Sequence, residues 1–414
     1  MTPITLTDDQ QNALNKIHNF ILDPIETVFV LSGYSGTGKS TLVKTVIEQL
    51  PGFMQTAHLI DPSLKDYEII LTATTNKAAE AFSQLTGMEV RTIHSFLGLR
   101  VSTDYETNTT RLIPSTNEHK EGYLLFIDEA SYVDKYLLKY IFSLTRNCKI
   151  VFMGDPAQLT PVKETETPVF AAKFTGAQLS QVVRQAEGNP IIDLSTKFRE
   201  TVNTGEFFQF TPDGVAIQYL AREDFNQDIL KEFTRPDWKH QDSKILGWTN
   251  KCTIGYNHWV NDQVKGSPHF QVGDYAVCNK HVSSSRQTLK TDQLVRITGI
   301  SEDLYRHGVL GNQYTLDNYF NVFGPKSVEE RNAVVKKARA EDDYHTVEDI
   351  ESRWIDLRAA YSCTINKAQG STYDRVFIDL DDVKRCNSGN QIARMLYVAV
   401  SRARHQVFLT GDIF

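Results

Sequence analysis

Short apolar runs alternate with amphipathic helical patterns in the N-terminal part of this 414-residue chain. Such an alternation is typical of β–α–β units and predicts a parallel sheet. A helix is predicted from Thr37 to Leu50, and Pro51-Gly52 is expected to end it. The predicted strands are Val28–Leu31, Ile69–Ala73, Tyr123–Asp128 and Lys149–Gly154.

Residues 100–114 interrupt this alternation. Two short apolar runs, Val101–Thr103 and Arg111–Ile113, flank a polar tip at Asp104–Thr110. This pattern predicts a β-hairpin inserted into the first α/β domain.

A second α/β pattern begins near Asn189, with a strand at Lys244–Trp248 and a helix from Thr249. Between Val264 and Phe323, short strands separated by Gly, Ser and Asp predict a small β-barrel insertion. The strands predicted there are Phe270–Cys278, Leu294–Ile300 and Tyr314–Phe323. Charged segments follow and predict helices at Ser327–Ala340 and Thr346–Ala360, before strands resume at Val376–Leu380 and Gln406–Thr410.

The predicted organisation is therefore an α/β fold with two domains and two insertions. The first domain covers residues 1–188 and contains the hairpin insertion over 96–114. The second domain has a first part, 189–263, and a second part, 346–414. The barrel insertion and a charged segment, 264–345, separate these two parts.

Composition limits the class of protein. Hydrophobic residues make up 41% of the chain and charged residues 23%, as in ordinary globular proteins. No run of about 18 apolar residues predicts a membrane span, and the N-terminus lacks the pattern of a signal peptide. The five cysteines show no paired metal spacing, which favours a reducing cytosol and no structural zinc. We expect a cytoplasmic protein.

The net charge of −7 argues against a uniformly basic nucleic-acid binder. It is compatible with a basic groove on an acidic body. The affinity for a nucleic-acid strand would still fall as the salt concentration rises if the groove contacts phosphates.

The segment Gly33–Ser40 carries the strongest chemical signal. Two glycines with four residues between them, Gly33 and Gly38, followed by Lys39 and Ser40, fit the phosphate-binding loop pattern between a strand and a helix. The glycines let backbone N–H groups turn toward a polyphosphate, and the helix start adds partial positive charge. Lys39 would reach the β- and γ-phosphates, and Ser40 would hold Mg²⁺. The alternative is a plain glycine-rich turn.

Two further strand ends carry polar groups suited to hydrolysis. Asp128 ends an apolar strand and can hold Mg²⁺ through water, while Glu129 can orient and deprotonate the attacking water. Gln158 follows the next strand and suits the sensing of a γ-phosphate or a water. A capping pair at Asp128-Glu129 and a β-turn at Gly154-Asp155-Pro156 are the alternatives.

These motifs and two later ones resemble, in sequence and order, the motifs of superfamily 1 helicases. The similarity is strongest to superfamily 1B, to the phage Dda-like enzymes near RecD and Pif1. It runs from Leu6 to the C-terminus. The segments that carry it are Asp128–Ser131, Gly154–Leu159, Thr364–Gly370 and Val398–Arg404, with Thr92–Ser95 and Trp248–Lys251 in support.

The resemblance implies two RecA-like domains with ATP bound between them, an inserted pin hairpin and an SH3-like barrel. It implies ATP and Mg²⁺ as cofactors. The implied catalytic residues are Lys39, Glu129, Gln158 and two arginine fingers, Arg184 and Arg402; Arg404 is less certain. A guanidinium suits a finger because it does not deprotonate, although Arg184 could be a plain surface arginine. The implied nucleotide-binding residues are Gln10, which would read adenine, with Gly33, Ser35, Gly36, Thr37, Gly38, Lys39, Ser40, Thr41 and Gly370.

The resemblance also implies contacts to a nucleic-acid strand. Helix capping is an alternative role for Thr74, Thr75 and Asn76, and a buried histidine is the alternative for His94. The implied strand-contacting residues are Thr74, Asn76, His94, Tyr105, Trp248, Asn250, Thr364, Asn366 and Lys367.

Aromatic residues have a separate implied role in splitting base pairs. Tyr105 and Phe96 are the candidates on the pin, unless the hairpin has no role. Trp238, Trp248, Trp259 and Trp354 could stack on bases or be core residues.

One residue departs from the family pattern. The family usually has His where this chain has Asn366. Asn can form hydrogen bonds but cannot carry charge, which puts one strand or coupling contact in doubt and leaves hydrolysis intact.

The sequence therefore predicts an ATP-dependent DNA helicase that moves 5′ to 3′ on single-stranded DNA and unwinds duplex. Its expected partners are single-stranded and forked DNA, with a single-strand-binding protein or replication proteins as candidates. No membrane partner and a monomeric state are expected. The alternatives are a translocase that remodels protein–DNA or RNA complexes, and an ATP-gated clamp with little turnover.

Overall fold

The computed structural model describes residues 6–104, 109–115, 118–161, 164, 166–181, 188–283, 288–317 and 320–413. By contacts the chain divides into two compact units. Unit 1 comprises residues 1–102, 110–208 and 396–401, and unit 2 comprises residues 103–109, 209–395 and 402–414. No helix among the described residues combines the length and the apolar character that a bilayer crossing needs.

The first half of the chain alternates strands and helices. In chain order its elements are α1 Asp8–Leu22, β1 Val28–Gly33, α2 Lys39–Ile60, β2 Glu68–Ala73, α3 Asn76–Thr86, β3 Val90–Thr92, α4 Ile93–Phe96, β4 Leu99–Asp104, β5 Thr109–Pro114, β6 Lys120–Glu121, β7 Tyr123–Asp128, a 3₁₀ turn Ala130–Tyr132, α5 Lys135–Leu144, β8 Thr145–Arg146, β9 Lys149–Gly154, α6 Pro168–Ala171, β10 Thr175–Leu179 and α7 Pro190–Thr204.

A six-stranded parallel sheet forms the centre of unit 1, in the order β10–β1–β9–β7–β2–β3. The predicted parallel sheet is thereby confirmed. β9 is buried along its whole length and lies between β1 and β7. The carboxyl ends of β1, β7 and β9 therefore meet at one edge of the sheet, which is where ligands bind in folds of this kind. The strands β4 and β5 form a separate two-stranded sheet.

The second half contains the remaining elements. In chain order they are β11 Ile217–Tyr219, α8 Arg222–Phe233, β12 Ser243–Gly247, α9 Asn250–Lys265, β13 Tyr275–Cys278, β14 Val282–Ser283, β15 Thr288–Leu289, β16 Leu294–Arg306, β17 Val309–Leu316, β18 Phe320–Pro325, α10 Val328–Ala340, α11 Tyr344–Arg353, β19 Leu357–Ala359, β20 Ser362–Thr364, α12 Ile365–Ala368, β21 Tyr373–Asp379, α13 Leu380–Val383, α14 Gly389–Val400 and β22 Ala403–Thr410.

Unit 2 contains two larger sheets of different character. A parallel sheet has the order β11–β22–β21–β12–β20. An antiparallel sheet in the inserted region has the order β18–β17–β16–β13–β19. Buried Val295, Ile297, Leu316 and Val322 pack in one cluster on this insertion sheet.

The strands predicted at Phe270–Cys278 and Leu294–Ile300 are observed at Tyr275–Cys278 and Leu294–Arg306. Three other predicted elements were also wrong in extent. The helix predicted to end at Leu50 continues through Pro51 to Ile60. Met54 and Ala57 are buried in the extension. Their burial offsets the roughly 3 kcal/mol that proline costs inside a helix.

The other two errors lie in the inserted region. The strand predicted over 314–323 is two antiparallel strands, β17 and β18, because the chain reverses after Leu316. The helix predicted over 346–360 ends at Arg353, and Leu357–Ala359 pairs with β13 instead. Residues 346–359 therefore pack with the insertion sheet, on the other side of the predicted boundary at 346.

Candidate nucleotide and nucleic-acid sites

The turn from β1 to α2 is built so that only glycine fits at Gly38. Its φ of +78° is left-handed, and a Cβ there would lie 2.5 Å from Gln10 Nε2. Gly36 is also left-handed, with φ of +85°. Gly38 is the N-cap of α2 and has no side chain with which to bind the first N–H groups of the helix. A helix start of this kind suits an anionic ligand such as phosphate.

Side chains of unit 1 hold this turn in shape. Lys39 Nζ donates to the carbonyl oxygens of Gly33 and Tyr34 at 2.7 and 3.1 Å, and the Thr37 hydroxyl donates to Tyr34 O at 2.9 Å. Gln10 Nε2 donates to Thr37 O at 2.9 Å, while its Oε1 accepts from Thr7 N. Gln10 thus lies against the loop, and its amide orders the turn. Ser35, Ser40 and Thr41 are half-buried along it.

Asp128 and Glu129 lie at the carboxyl end of β7. Burial and the charge of Glu129 together raise the pKa of Asp128 to about 7, against the opposite effects of the Glu129 N–H and the charge of Lys39. A cation beside this carboxyl would favour its charged form. Oxygen donors from Asp128 and the Ser40 hydroxyl are of the type that Mg²⁺ prefers. These residues therefore fit a nucleotide-bound magnesium ion.

Glu129 has a strained backbone. Its φ of +53° is left-handed, which is uncommon for a residue with a side chain. Its N–H donates to Asp128 Oδ1 at 2.9 Å, and the hydroxyl of Thr74 donates to its carbonyl oxygen at 3.0 Å. Strain of this kind costs about 1–3 kcal/mol and is concentrated at functional sites.

Thr74 joins one predicted strand-contacting segment to this hydrolytic pair. It is buried, and its N–H donates to Asp128 O at 3.2 Å in addition to the hydroxyl contact. The neighbouring Thr75 caps α3 by accepting from Ala78 N at 3.1 Å, and Asn76 is exposed in the first turn. The capping alternative is therefore confirmed for Thr75, while Thr74 contacts the backbone of both acidic residues.

Asp155 and Gln158 are buried after β9. Asp155 Oδ1 accepts from Ala157 N at 2.9 Å, and its Oδ2 accepts from the hydroxyl of Tyr397, a residue of α14 that belongs to unit 1. The same hydroxyl accepts from Ser35 N at 3.3 Å. Burial and the charge of Asp155 raise the pKa of Tyr397, so the phenol stays protonated. Tyr397 thereby joins the phosphate loop to Asp155.

Unit 2 contains a second strand-to-helix turn, from β12 to α9. The buried carboxylate of Asp382 accepts from Trp248 N and Thr249 N at 2.6 and 2.8 Å, and from the Thr249 hydroxyl at 2.7 Å. A Cβ at Gly247 would lie 2.9 Å from Asp382 Oδ2, so the carboxylate requires glycine there. Asp382 thus holds the predicted strand-contacting residues Trp248 and Asn250 in place.

The segment after β20 carries the other predicted contacts of unit 2. Thr364 is buried and caps α12, and Asn366 and Lys367 are half-buried on that helix. Gly370 has φ of +78°. Lys367 Nζ pairs with Asp292 Oδ1 at 2.9 Å.

The two arginines near the C-terminus differ in burial. Arg402 is buried and donates to Ser371 O at 3.2 Å. Arg404 is half-exposed and pairs with Asp374.

Several predicted residues have other surroundings or lie outside the described part of the chain. Arg184 and Tyr105 lie outside the described residues. Phe96 is buried in the core of unit 1, so its role on the surface of a pin is wrong. His94 is partly buried, and burial lowers its pKa despite the charge of Asp134.

The tryptophans also separate into two groups. Trp354 is buried in a cluster with Phe323 and Val347, and Trp238 packs on another core cluster and donates to the Ser243 hydroxyl at 2.8 Å. Trp259 packs on that same cluster. Trp248 is half-buried next to Thr249. Base stacking is therefore excluded for Trp354 in this conformation, because its ring is buried, whereas Trp238, Trp248 and Trp259 are only partly buried.

Comparisons with known proteins are consistent with this geometry. The AAA domain family matches residues 5–219, and the UvrD-like helicase C-terminal domain family matches residues 359–410. The ATP-dependent DNA helicase dda of Enterobacteria phage T4 is 27% identical, over 99% of this chain and 100% of the relative. The chain belongs to the AAA domain family and is a superfamily 1B helicase.

Two further relatives resemble this helicase. The ATP-dependent RecD2 DNA helicase of Deinococcus radiodurans is 30% identical, over 98% of this chain and 49% of the relative. The crystal structure of Pif1 helicase from Bacteroides in complex with ADP-AlF3 and ssDNA has a TM-score of 0.51 at 17% identity, over 100% of this chain and 94% of that one. The second likeness concerns the fold, which has parallel sheets of the RecA-like kind.

Proposed function

We propose that this helicase translocates 5′ to 3′ on single-stranded DNA and unwinds duplex DNA with the energy of ATP. One observation carries the ATP-driven part of the proposal, while the direction and the unwinding rest on the resemblance to superfamily 1B helicases. The glycine turn with Lys39 is built at the same sheet edge as the half-buried Asp128 and the strained Glu129. Thr74 links that pair to a predicted strand-contacting segment, which would let strand binding influence hydrolysis.

Each residue of the nucleotide site has a proposed task. The Gly33–Gly38 turn and Lys39 bind the phosphates, with Gln10 ordering the turn next to the base. Ser40 and Asp128 hold Mg²⁺, which would supply charge neutralisation at the β- and γ-phosphates. Glu129 orients and deprotonates water, and Gln158 senses the γ-phosphate. Arg184 and Arg402 would neutralise charge on the transferred phosphoryl group, an effect typically worth about 10³–10⁵ in rate.

The proposed strand-contacting residues include Asn76, Trp248, Asn250, Thr364 and Lys367. The hairpin of β4 and β5 is the proposed separation pin, and the insertion sheet the proposed SH3-like barrel. We further propose a monomer in the cytoplasm that acts on forked DNA, with a single-strand-binding protein or replication proteins as partners. The resemblance to T4 dda and RecD2 supports the action on DNA among these assignments.

A strand-displacement assay tests unwinding and polarity together. Duplexes with a 5′ tail should be unwound and duplexes with a 3′ tail should not. The opposite preference would contradict the proposed polarity, and ATPase activity without displacement of either duplex would favour a remodelling translocase. Absence of DNA-stimulated hydrolysis would favour the clamp.

Deleting Asp104–Thr110 should lower displacement and spare the DNA-stimulated ATPase; equal loss of both would refute the pin.

Glu129→Gln tests the hydrolytic assignment. ATP binding should persist, while hydrolysis should fall by about 10²–10⁴, as expected for loss of a general base. Glu121→Gln, on the exposed strand β6, is the matched control and should retain wild-type activity. Retained unwinding in Glu129→Gln would overturn the assigned role.

A further inference from the structure

Six side chains of unit 2 form one continuous hydrogen-bonded chain. Two of them, Lys367 and Asn250, are proposed strand-contacting residues, and the others come from the insertion sheet and the segments next to it. In order along the chain the six are Asp292, Lys367, Asn279, Asp356, Arg358 and Asn250. The insertion sheet is therefore joined by side chains to the proposed DNA contacts.

The two cations among these six side chains, Arg358 and Lys367, are held differently. Arg358 donates to both oxygens of Asp356, at 3.4 and 3.1 Å, and to Asn250 Oδ1 at 2.9 Å. Its guanidinium is thus fixed by three hydrogen bonds. Lys367 is a flexible ammonium that donates to the amide oxygen of Asn279 and forms its ion pair with Asp292. Both side chains of that pair are about one third exposed, 31% and 33%, so solvent and ligands can reach them.

The backbone conformation of Asp292 holds its carboxylate beside Lys367. Asp292 is left-handed, with φ of +63°. It lies in a tight turn, and its backbone N–H donates to Cys278 O at 2.7 Å, at the buried end of β13. A turn anchored in this way brings a carboxylate to the lysine at the cost of backbone strain.

We propose that Asp292 sets the strand affinity of this helicase by competing with DNA phosphate for Lys367. The proposal rests on the proposed function, in which Lys367 contacts the strand. A phosphate and a carboxylate are interchangeable partners for an ammonium. An exposed ion pair is worth only about 0–1 kcal/mol, so DNA can displace Asp292. When the ion pair between Asp292 and Lys367 forms again, it assists release of the DNA strand at each step.

Asp292→Asn is the variant that isolates the charge. Asn tolerates the left-handed backbone as well as Asp does and has nearly the same shape. The variant therefore keeps the turn and removes the competitor. Lys367 should become free to bind one more phosphate, and the affinity for single-stranded DNA should rise about 3–10-fold at low salt.

The chain offers a matched control. Asp303 is also left-handed, with φ of +55°, lies on the insertion sheet and forms an ion pair with Lys326 at 2.6 Å. Lys326 is not a proposed strand contact. Asp303→Asn makes the same change to the net charge of −7. It should leave strand affinity within about twofold of the wild type.

The decisive readout is the salt dependence of strand binding. Affinity for a fluorescent oligonucleotide should be measured between about 50 and 200 mM salt for wild type, Asp292→Asn, Lys367→Met and the double variant. The slope of log affinity against log salt should steepen by about 0.7 in Asp292→Asn, since one more phosphate is neutralised. The double variant should match Lys367→Met, because without the lysine the competitor has nothing to release.

Each other outcome overturns the inference. An unchanged slope in Asp292→Asn, or a gain in affinity that persists without Lys367 or also occurs in Asp303→Asn, would refute competition for the lysine. If the wild type binds and hydrolyses ATP on DNA but Asp292→Asn changes nothing, only the inference fails. If the wild type neither binds the strand nor is stimulated by it, the proposed function fails as well.

Discussion

The turn after β1 and the turn after β12 both connect a strand to a helix, but they differ in how the first N–H groups of the helix are capped. Each follows a buried parallel strand and leads into a helix of 16 residues or more. The first ends in the left-handed Gly38, which has no side chain to cap α2. The second ends in Thr249, which caps α9 by accepting from Cys252 N at 3.2 Å. One helix start is thus left to a ligand and the other is satisfied by the protein.

The carboxylate of Asp382 makes the difference larger. It already binds the two N–H groups of the β12–α9 turn that would otherwise suit a phosphate. A second anion at that turn would meet like charge. The same strand-to-helix geometry therefore favours a nucleotide in unit 1. In unit 2 it provides a rigid support for Trp248 and Asn250, which we propose face DNA.

The largest expected effect comes from Gly38→Ala, which would break the first turn. A left-handed alanine costs about 1–3 kcal/mol, and the new Cβ would meet Gln10 Nε2 at 2.5 Å. We expect ATP affinity to fall about 100-fold or more, measured by titration with a fluorescent ATP analogue. Gly87→Ala has the same backbone strain, φ of +72°, with nothing near the new Cβ. It should keep its ATP affinity; an equal loss there would show that the effect is only instability.

The next largest effect is expected at the turn after β12 in unit 2, and it concerns the stability of the protein. Asp382→Ala would leave Trp248 N and Thr249 N without their buried acceptor, and should lower the free energy of unfolding by roughly 3 kcal/mol. Urea denaturation measures this loss. Asp262→Ala, on the exposed face of α9, should change stability by less than about 0.5 kcal/mol. A neutral Asp382→Ala would mean that the carboxylate does not support the turn.

The smallest effect concerns the link between the phosphate loop and Asp155. Tyr397→Phe removes a hydroxyl that contacts both, and kcat for ATP hydrolysis should fall about fivefold, as for loss of roughly 1 kcal/mol of hydrogen bonding. Tyr140→Phe removes a comparable hydrogen bond, to Leu112 O at 2.7 Å, away from the loop. It should lower stability without lowering kcat. If both variants hydrolyse ATP equally well, Tyr397 has only a packing role.

The same comparison explains what sequence could predict. The strands of the parallel sheet and the Gly33–Ser40 and Asp128-Glu129 motifs are local signals, since their spacing along the chain carries the chemistry. Asp382 and Tyr397 were missed because their partners are distant. Asp382 is 134 residues from Trp248, and Tyr397 is 362 residues from Ser35. An acidic residue after an apolar strand at Tyr373–Asp379 was the only signal for Asp382.

Pro51 shows a different limit. Proline predicts a helix end from local sterics, yet the burial of Met54 and Ala57 extends α2 beyond it. The split of the predicted strand at 314–323 has the same origin, because pairing between β17 and β18 is decided by the insertion sheet as a whole. Tertiary packing overrides local preference in both cases.

The most direct measurement is the stoichiometry of nucleotide binding. Calorimetric titration of the full chain with a non-hydrolysable ATP analogue and Mg²⁺ should give one nucleotide per chain in the wild type. It should give none in Gly38→Ala at the same concentrations, and one in Gly87→Ala. Two nucleotides per chain, or one retained in Gly38→Ala, would contradict the claim that the turn after β1, and not the turn after β12, binds the nucleotide phosphates.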